Sequence, residues 1–441
     1  MDQESVAQKV LDAIEAARPD LIDLCLALGN QPDYAGHELG IGADVVAWLD
    51  KAGIEAWLQH LSETSVNAVG ILRGQGNRSG AGRSLILNAH MDTQGIAPKG
   101  GPEIERKVRG AWLDGDLLYG QGLANDKAQL AAEMIAMRAI KASGARLQAD
   151  LYVTGVAQET TAPVDGALGL ARRSGIGPTI SQVAEGDGAR WLVAHGIVAD
   201  YALVGEVSDF AVSVAQAGYL RLRITVPGIV AYTPVLQRGP KPVDNPNPFE
   251  RAGHVILVIE QWARSYEIEH RRDFWGGTFV PRAQIHEITS SGPAWTEARD
   301  YCYVFLDVRL VPGADPVAIQ DSLRQAIATT GLETEISAYD YRRGFIAERA
   351  EPLLDALRDA HRRVLGGDLP YAGPIVHTMW RDTNAFNEAG IPAIGYGPRT
   401  QDPIGGFAGL AGVTRPITVD DLIATAKVFA LTALQICQLA E

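Results

Sequence analysis

Four polar residues in this chain stand where short apolar runs stop, and their types suit metal-assisted hydrolysis. The run Ser84 to Asn88 (SLILN) reads as a buried parallel strand, and His90, Met91 and Asp92 follow it. An imidazole with a carboxylate two residues on suits a metal ligand whose ring tautomer that carboxylate fixes. Alone, His-x-Asp fits a surface turn equally well. GQGLANDK carries Asp126 to the predicted start of a helix, where a carboxylate is either a ligand or a simple N-cap. VAQETTAP places Glu159 just past a buried strand. Folding has no need of a carboxylate there, and beside a metal-bound water it could serve as general base; taken alone, a solvated loop residue fits equally well. ADYALVGEVSDF puts Glu206 at the end of another apolar strand. Side chains at the carboxyl ends of parallel strands converge on one crevice, so the four residues are more telling together than singly. The glycines before Asp126 match neither GxGxxG nor GxxxxGK[ST], which argues against a phosphate loop.

The elements that must position these residues alternate along the chain. Besides the strand before His90, strands are predicted at Asp150 to Val156 and Asp200 to Val204, with helices after Asp126 and near Val164 to Ser174. Strands alternating with helices imply a mostly parallel sheet covered on both faces. After Glu206 the texture changes. Tyr219 to Val226 (YLRLRITV) and Tyr301 to Arg309 (YCYVFLDVR) alternate polar and apolar residues, as a half-exposed antiparallel sheet does, and a helix is predicted around Ala252 to Tyr266. From about Glu351 the pattern returns to long helices and one buried strand, AIGYGP, before a last helix from Val419 to Leu439. The expected architecture is an α/β catalytic domain, residues 1–212 and 342–441, interrupted by an α+β antiparallel-sheet domain, residues 213–341.

Bulk properties narrow the function classes. A chain of 441 residues is long for one core and fits two domains. A net charge of −14 disfavours nucleic acid and anionic membranes, because phosphate affinity comes from clustered Lys and Arg. No run of apolar residues is long enough to span a bilayer, and the first residues read as an amphipathic helix rather than a secretory signal. Cys25, Cys302 and Cys437 are odd in number and far apart, which fits buried thiols in a reducing cytoplasm.

The chain resembles the aminoacylase, carboxypeptidase G, acetylornithine deacetylase and succinyl-diaminopimelate desuccinylase group of metallopeptidases, over nearly its whole length. LILNAHMDT looks like the first metal segment of that group, YGQGLANDKAQLAA like the second, AQETT like the double-glutamate segment and ALVGEVSD like the third. DVRLVPG and RDTNAFNEAGIPAIGYGP resemble its later segments. The resemblance implies that His90, Asp126 and Glu206 bind a divalent metal, that Asp92 supports His90, and that Glu159 is the general base. It also implies dimerisation through the inserted domain.

Three departures stand out. The second glutamate of the group is replaced by Thr160, and the segment of its C-terminal histidine holds none, with Ala411 near that position. A hydroxyl and a methyl cannot stand in for a carboxylate and an imidazole, so one metal per subunit, Mn2+ or Zn2+, is expected. Tyr232 stands about where relatives carry a histidine that donates to the developing oxyanion; a phenol donates one hydrogen bond but carries no positive charge, and packing on the sheet is an equal alternative. Arg381 lies where relatives meet the substrate carboxylate, with an ion pair to an acidic neighbour as the alternative. His377, for which a structural role is the alternative, and Thr160 are counted with Arg381 and Tyr232 as candidate substrate contacts. The expected reaction is hydrolysis of an amide in a small carboxylate-bearing molecule. The alternatives are deamination of an aromatic amine such as 5-nitroanthranilate, and a relative that binds without catalysis.

Overall fold

In the computed structural model of the chain, residues 3–31, 35–76, 82–93, 110–120, 122–160, 185–229, 233–290, 301–400 and 416–440 are described. Tyr232, Ala411 and the helix expected near Val164 to Ser174 lie outside them. Ten strands form two sheets: β1 (Glu55–His60), β2 (Val66–Leu72), β3 (Leu85–His90), β4 (Leu151–Val156), β5 (Tyr201–Gly205), β6 (Gly218–Pro227), β7 (Ala283–Ser290), β8 (Tyr301–Leu310), β9 (Glu335–Arg342) and β10 (Ala393–Tyr396).

The first sheet runs β1-β2-β4-β3-β5-β10. Its four strands from β4 to β10 are parallel, and β2 pairs antiparallel with both of its neighbours. Every residue of β3 is buried, because both faces of the sheet are covered. Leu85, Leu87 and Ala89 point into a core shared with helices Gln3–Ala16, Ala128–Ala142, Glu351–Leu365 and Val419–Cys437. Ile86 points the other way, into a core with helices Asp187–Ala194 and Thr383–Glu388. Two-residue alternation along a continuous apolar run thus feeds two layers.

The second sheet, β7-β8-β6-β9, is antiparallel throughout. Leu220, Leu222, Ile224 and Val226 of β6 pack with Val304, Leu306 and Val308 of β8 under helices Pro248–Glu269 and Pro316–Ala328. Both helices begin on a side-chain cap: Asn247 accepts from the Phe249 amide at 2.9 Å, and Asp315 from the Val317 amide at 2.9 Å. The other face of β6 carries Tyr219, Arg221 and Arg223. Alternation predicts a solvated face there, yet Tyr219 is fully buried. This polar face turns toward the first sheet, where Arg221 meets the Glu185 carboxylate and Arg342 approaches Asp187 at 3.3 Å. The architecture is therefore the expected α/β layer with an antiparallel α+β unit. Among the described residues, no helix is long and apolar enough to cross a membrane.

Candidate metal centre and substrate cavity

His90 is the last residue of β3, Glu206 follows β5 directly, and Glu159 lies three residues beyond β4. Parallel pairing of these three strands brings their ends together, so side chains far apart in sequence share one crevice. Asp126 enters from an irregular turn just ahead of helix Ala128–Ala142. It does not cap that helix: Lys127 holds the N-cap position and makes no side-chain cap bond, while Gln129 Nε2 donates to Asp126 Oδ1 at 2.9 Å.

One ligand atom each from His90, Asp126 and Glu206 lie within 4.8 Å of one another, and all three residues are buried. His90 Nε2 stands 3.3 Å from Asp126 Oδ2 and 3.7 Å from Glu159 Oε2. Neither His90 Nε2 nor Asp126 Oδ2 has a hydrogen-bond partner, an arrangement that buried polar atoms rarely keep without a ligand. Burial, followed by the nearby Glu206 carboxylate, pushes the pKa of both Asp126 and Glu159 well above the ordinary carboxylate range. A divalent cation relieves that repulsion, and one imidazole with two carboxylates is a donor set suited to it.

Asp92 supports this cluster differently from the expectation. The His90 ring is held through Nδ1 by the Asp92 backbone carbonyl at 2.9 Å, whereas Asp92 Oδ1 is 3.6 Å away. The carboxylate is already engaged: it accepts from the Glu159 amide at 3.0 Å, the Thr160 amide at 2.8 Å and the Thr160 hydroxyl at 2.5 Å. Asp92 thus fixes the turn that carries Glu159, and the Thr160 hydroxyl is used there.

A cavity of about 580 Å³ opens beside the cluster, lined by Glu159, Thr160, Glu206 and Arg381 among others. Arg381 is buried, with Nε 3.4 Å from Glu206 Oε2 and Nη2 donating to the Val207 carbonyl at 2.7 Å. It is thus engaged by a carboxylate and a carbonyl of the protein itself. His377 is not among the residues lining the cavity, which fits the structural role rather than the substrate contact. The ring is completely buried, 5.0 Å from that of Phe274 and 5.7 Å from that of Phe279, and burial lowers its pKa to about 4. Several residues here carry no recognisable motif in the sequence. Glu185, Arg282, His286, Asp307 and Arg309 line the cavity, the last four from the second sheet or its approach. Asp382, buried and bonded to Asn88 Nδ2 at 3.2 Å, has its pKa raised to about 7 by burial. The signal for Glu185 was an acid directly before Gly-Asp-Gly at a helix start; that for the sheet residues was the polar phase of the alternation.

Comparison with known proteins finds matches over most of the chain. The family described as Peptidase family M20/M25/M40 matches residues 86–435. Aminopeptidase PepT from Bacillus cereus superposes with a TM-score of 0.63 at 15% identity, over 96% of this chain and 99% of that one. A metallo-carboxypeptidase from Sulfolobus solfataricus gives 0.64 at 13% identity, over 95% and 98%. A dinuclear metal-binding peptidase from Bacillus subtilis gives 0.60 at 13% identity, over 96% and 99%.

Proposed function

The chain belongs to peptidase family M20/M25/M40, metal-dependent hydrolases of carbon–nitrogen bonds, and from that premise we propose that it cleaves an amide in a small carboxylate-bearing substrate at a single-metal centre. The observation that carries the proposal is the meeting of His90, Asp126 and Glu206 with the Glu159 carboxylate at the mouth of the cavity. His90, Asp126 and Glu206 would hold a divalent cation, Mn2+ or Zn2+, which when bound would supply Lewis acidity toward the carbonyl and the attacking water. Glu159 takes the proton from the attacking water and returns it to the leaving nitrogen. Asp92 acts as a positioning residue through the Glu159 and Thr160 amides. Arg381 orients Glu206 and the substrate carboxylate.

Thr160 supports one metal rather than two, because a hydroxyl donating to Asp92 supplies no ligand. The same feature keeps a second reading in play, attack of water on an aromatic carbon with loss of ammonia. Residues 213–341 serve as a lid and as the contact of a homodimer, with β7 at the end of its sheet available for pairing. The decisive experiment measures hydrolysis of N-acyl amino acids and dipeptides beside ammonia release from 5-nitroanthranilate, with metal content per subunit. Glu159→Gln lowers kcat by about 10²–10⁴-fold with metal content unchanged. Full activity in that variant refutes the mechanism, and ammonia release alone selects the second reading.

A further inference from the structure

The second sheet is joined to the first layer by two crossing segments that pair with each other. Residues 213–217 lead into β6 and residues 343–347 lead back from β9, with Phe345 opposite Gln216 and Ile346 opposite Ala215 in antiparallel register. The two backbones nearly touch at Gly218 and Gly344, where a Cβ on either would strike backbone atoms of the opposite segment. One side chain holds both segments. Asn384, 1% exposed, donates through Nδ2 to the Ala217 carbonyl at 3.0 Å and accepts through Oδ1 from the Phe345 amide at 3.1 Å. Its own amide donates to the Arg381 carbonyl at 3.0 Å, so it shares a turn with the guanidinium that stands 3.4 Å from Glu206. Between them, Asp382 accepts from Asn88 of β3, two residues before His90. Arg221 with Glu185, Arg342 with Asp187 and Thr378 with the Val280 carbonyl also join the two units, but each of these contacts reaches a single segment of the second. The cavity takes one wall from each unit: Glu159 and Glu206 from the first, Gln284, His286 and Arg309 from the second. A substrate held by both walls meets the reacting groups in register only at one angle between the units, and a misplacement of about 1 Å costs on the order of 100-fold in rate. An amide that grips both crossings through one donor and one acceptor fixes that angle, because both bonds are directional and shielded from water.

We propose that Asn384 is a positioning residue for the reaction: it sets the angle at which the second sheet closes over the metal centre, so that substrate groups on that wall meet the attacking water in reacting geometry. The inference rests on the amide-hydrolase reading, with the cavity as its reaction chamber. Asn384 does not line the cavity and acts through the two crossings.

The test reads geometry and rate separately on the metal-loaded full chain. Spin labels on Lys51→Cys in the first unit and His254→Cys in the second, both exposed positions, report the distance between the units, and the native cysteines Cys25, Cys302 and Cys437 are buried. Asn384→Leu, which removes both bonds at similar volume, shifts the mean distance by about 2 Å or more. It also lowers kcat/KM for N-acetyl-alanine about 100-fold with Mn2+ content unchanged. Asn384→Ser moves both readings in the same direction and stands in if Asn384→Leu fails to fold, which a thermal melt reports. If the wild type hydrolyses neither N-acetyl-alanine nor Ala-Leu, the amide-hydrolase reading fails by itself, and the distance shift still supports Asn384 as the residue that sets the angle. Distances unmoved in both variants, a shift that leaves kcat/KM at the wild-type value, or metal lost in proportion to activity overturns the proposal.

Discussion

At the scale of single residues, the cluster works because each donor has one job. The Asp92 backbone carbonyl holds the His90 ring, and the Asp92 carboxylate holds the turn that carries Glu159. Asp92→Asn keeps the first contact and weakens the second, since an amide offers one acceptor oxygen to three donors. The expected outcome is a fall in kcat of about 10–100-fold with metal content near that of the wild type, read by kinetics and elemental analysis. If metal is lost in proportion to activity, Asp92 acts on the ligand and not on the base. Beneath this turn, Glu38 accepts from Ser65 Oγ at 2.6 Å and the Gly36 amide at 2.6 Å. Burial, with the Asp92 carboxylate next in effect, still raises its pKa from 4.5 to about 7. The folded chain then binds more protons than the unfolded one between those values, so this contribution to stability is complete below pH 4.5 and disappears as pH rises through 7. Glu38→Gln should flatten the decline in denaturation midpoint between pH 5 and pH 7.5; an unchanged slope would assign that decline to other groups.

At the scale of elements, a helix must approach the sheet closely for Glu159 and Glu185 to share a cavity. Asn67 of β2 makes this junction, donating to the Gly188 carbonyl and accepting from the Ala157 amide, both at 2.9 Å. A Cβ on Gly188 would lie 2.0 Å from the Ala157 carbonyl oxygen, a backbone atom that cannot rotate away. Gly188→Ala therefore displaces helix Asp187–Ala194 or the end of β4, at a cost of about 1–3 kcal/mol or more. A melting temperature equal to that of the wild type would show that the helix is free to shift. Much at this scale was legible in the sequence. SLILN, the run before Glu159 and the run before Glu206 all form buried strands within a residue or two of their expected limits. An unbroken apolar run is a local signal of a strand covered on both faces. The cap at Asp126 was misplaced because the chain turns irregularly there, and its carboxylate points to the cluster rather than along the helix.

At the scale of the whole molecule, the two sheets meet through charge as well as through apolar contact. Arg221 reaches from β6 to Glu185 across this junction and is shared with Asp340. Arg221→Met keeps much of the packing volume and leaves the largely buried Glu185 carboxylate without its cation, while Asp340 keeps only Arg342 at 4.0 Å. It should destabilise the chain by about 3–5 kcal/mol, measured by denaturant unfolding. A change below about 1 kcal/mol would mean that water already screens the pair.

The sequence by itself determined where the polar residues stand relative to strand ends, and hence which side chains face one crevice, because strand ends are set by local patterns of apolar residues. It also determined, through two-residue alternation, that β6 has an apolar and a charged face. Only the tertiary structure decided what meets that charged face, which atom of Asp92 holds His90, and that His377 lies among phenylalanines while Arg381 pairs with Glu206. These outcomes depend on segments distant along the chain arriving at one place, and no local periodicity encodes which segments those are.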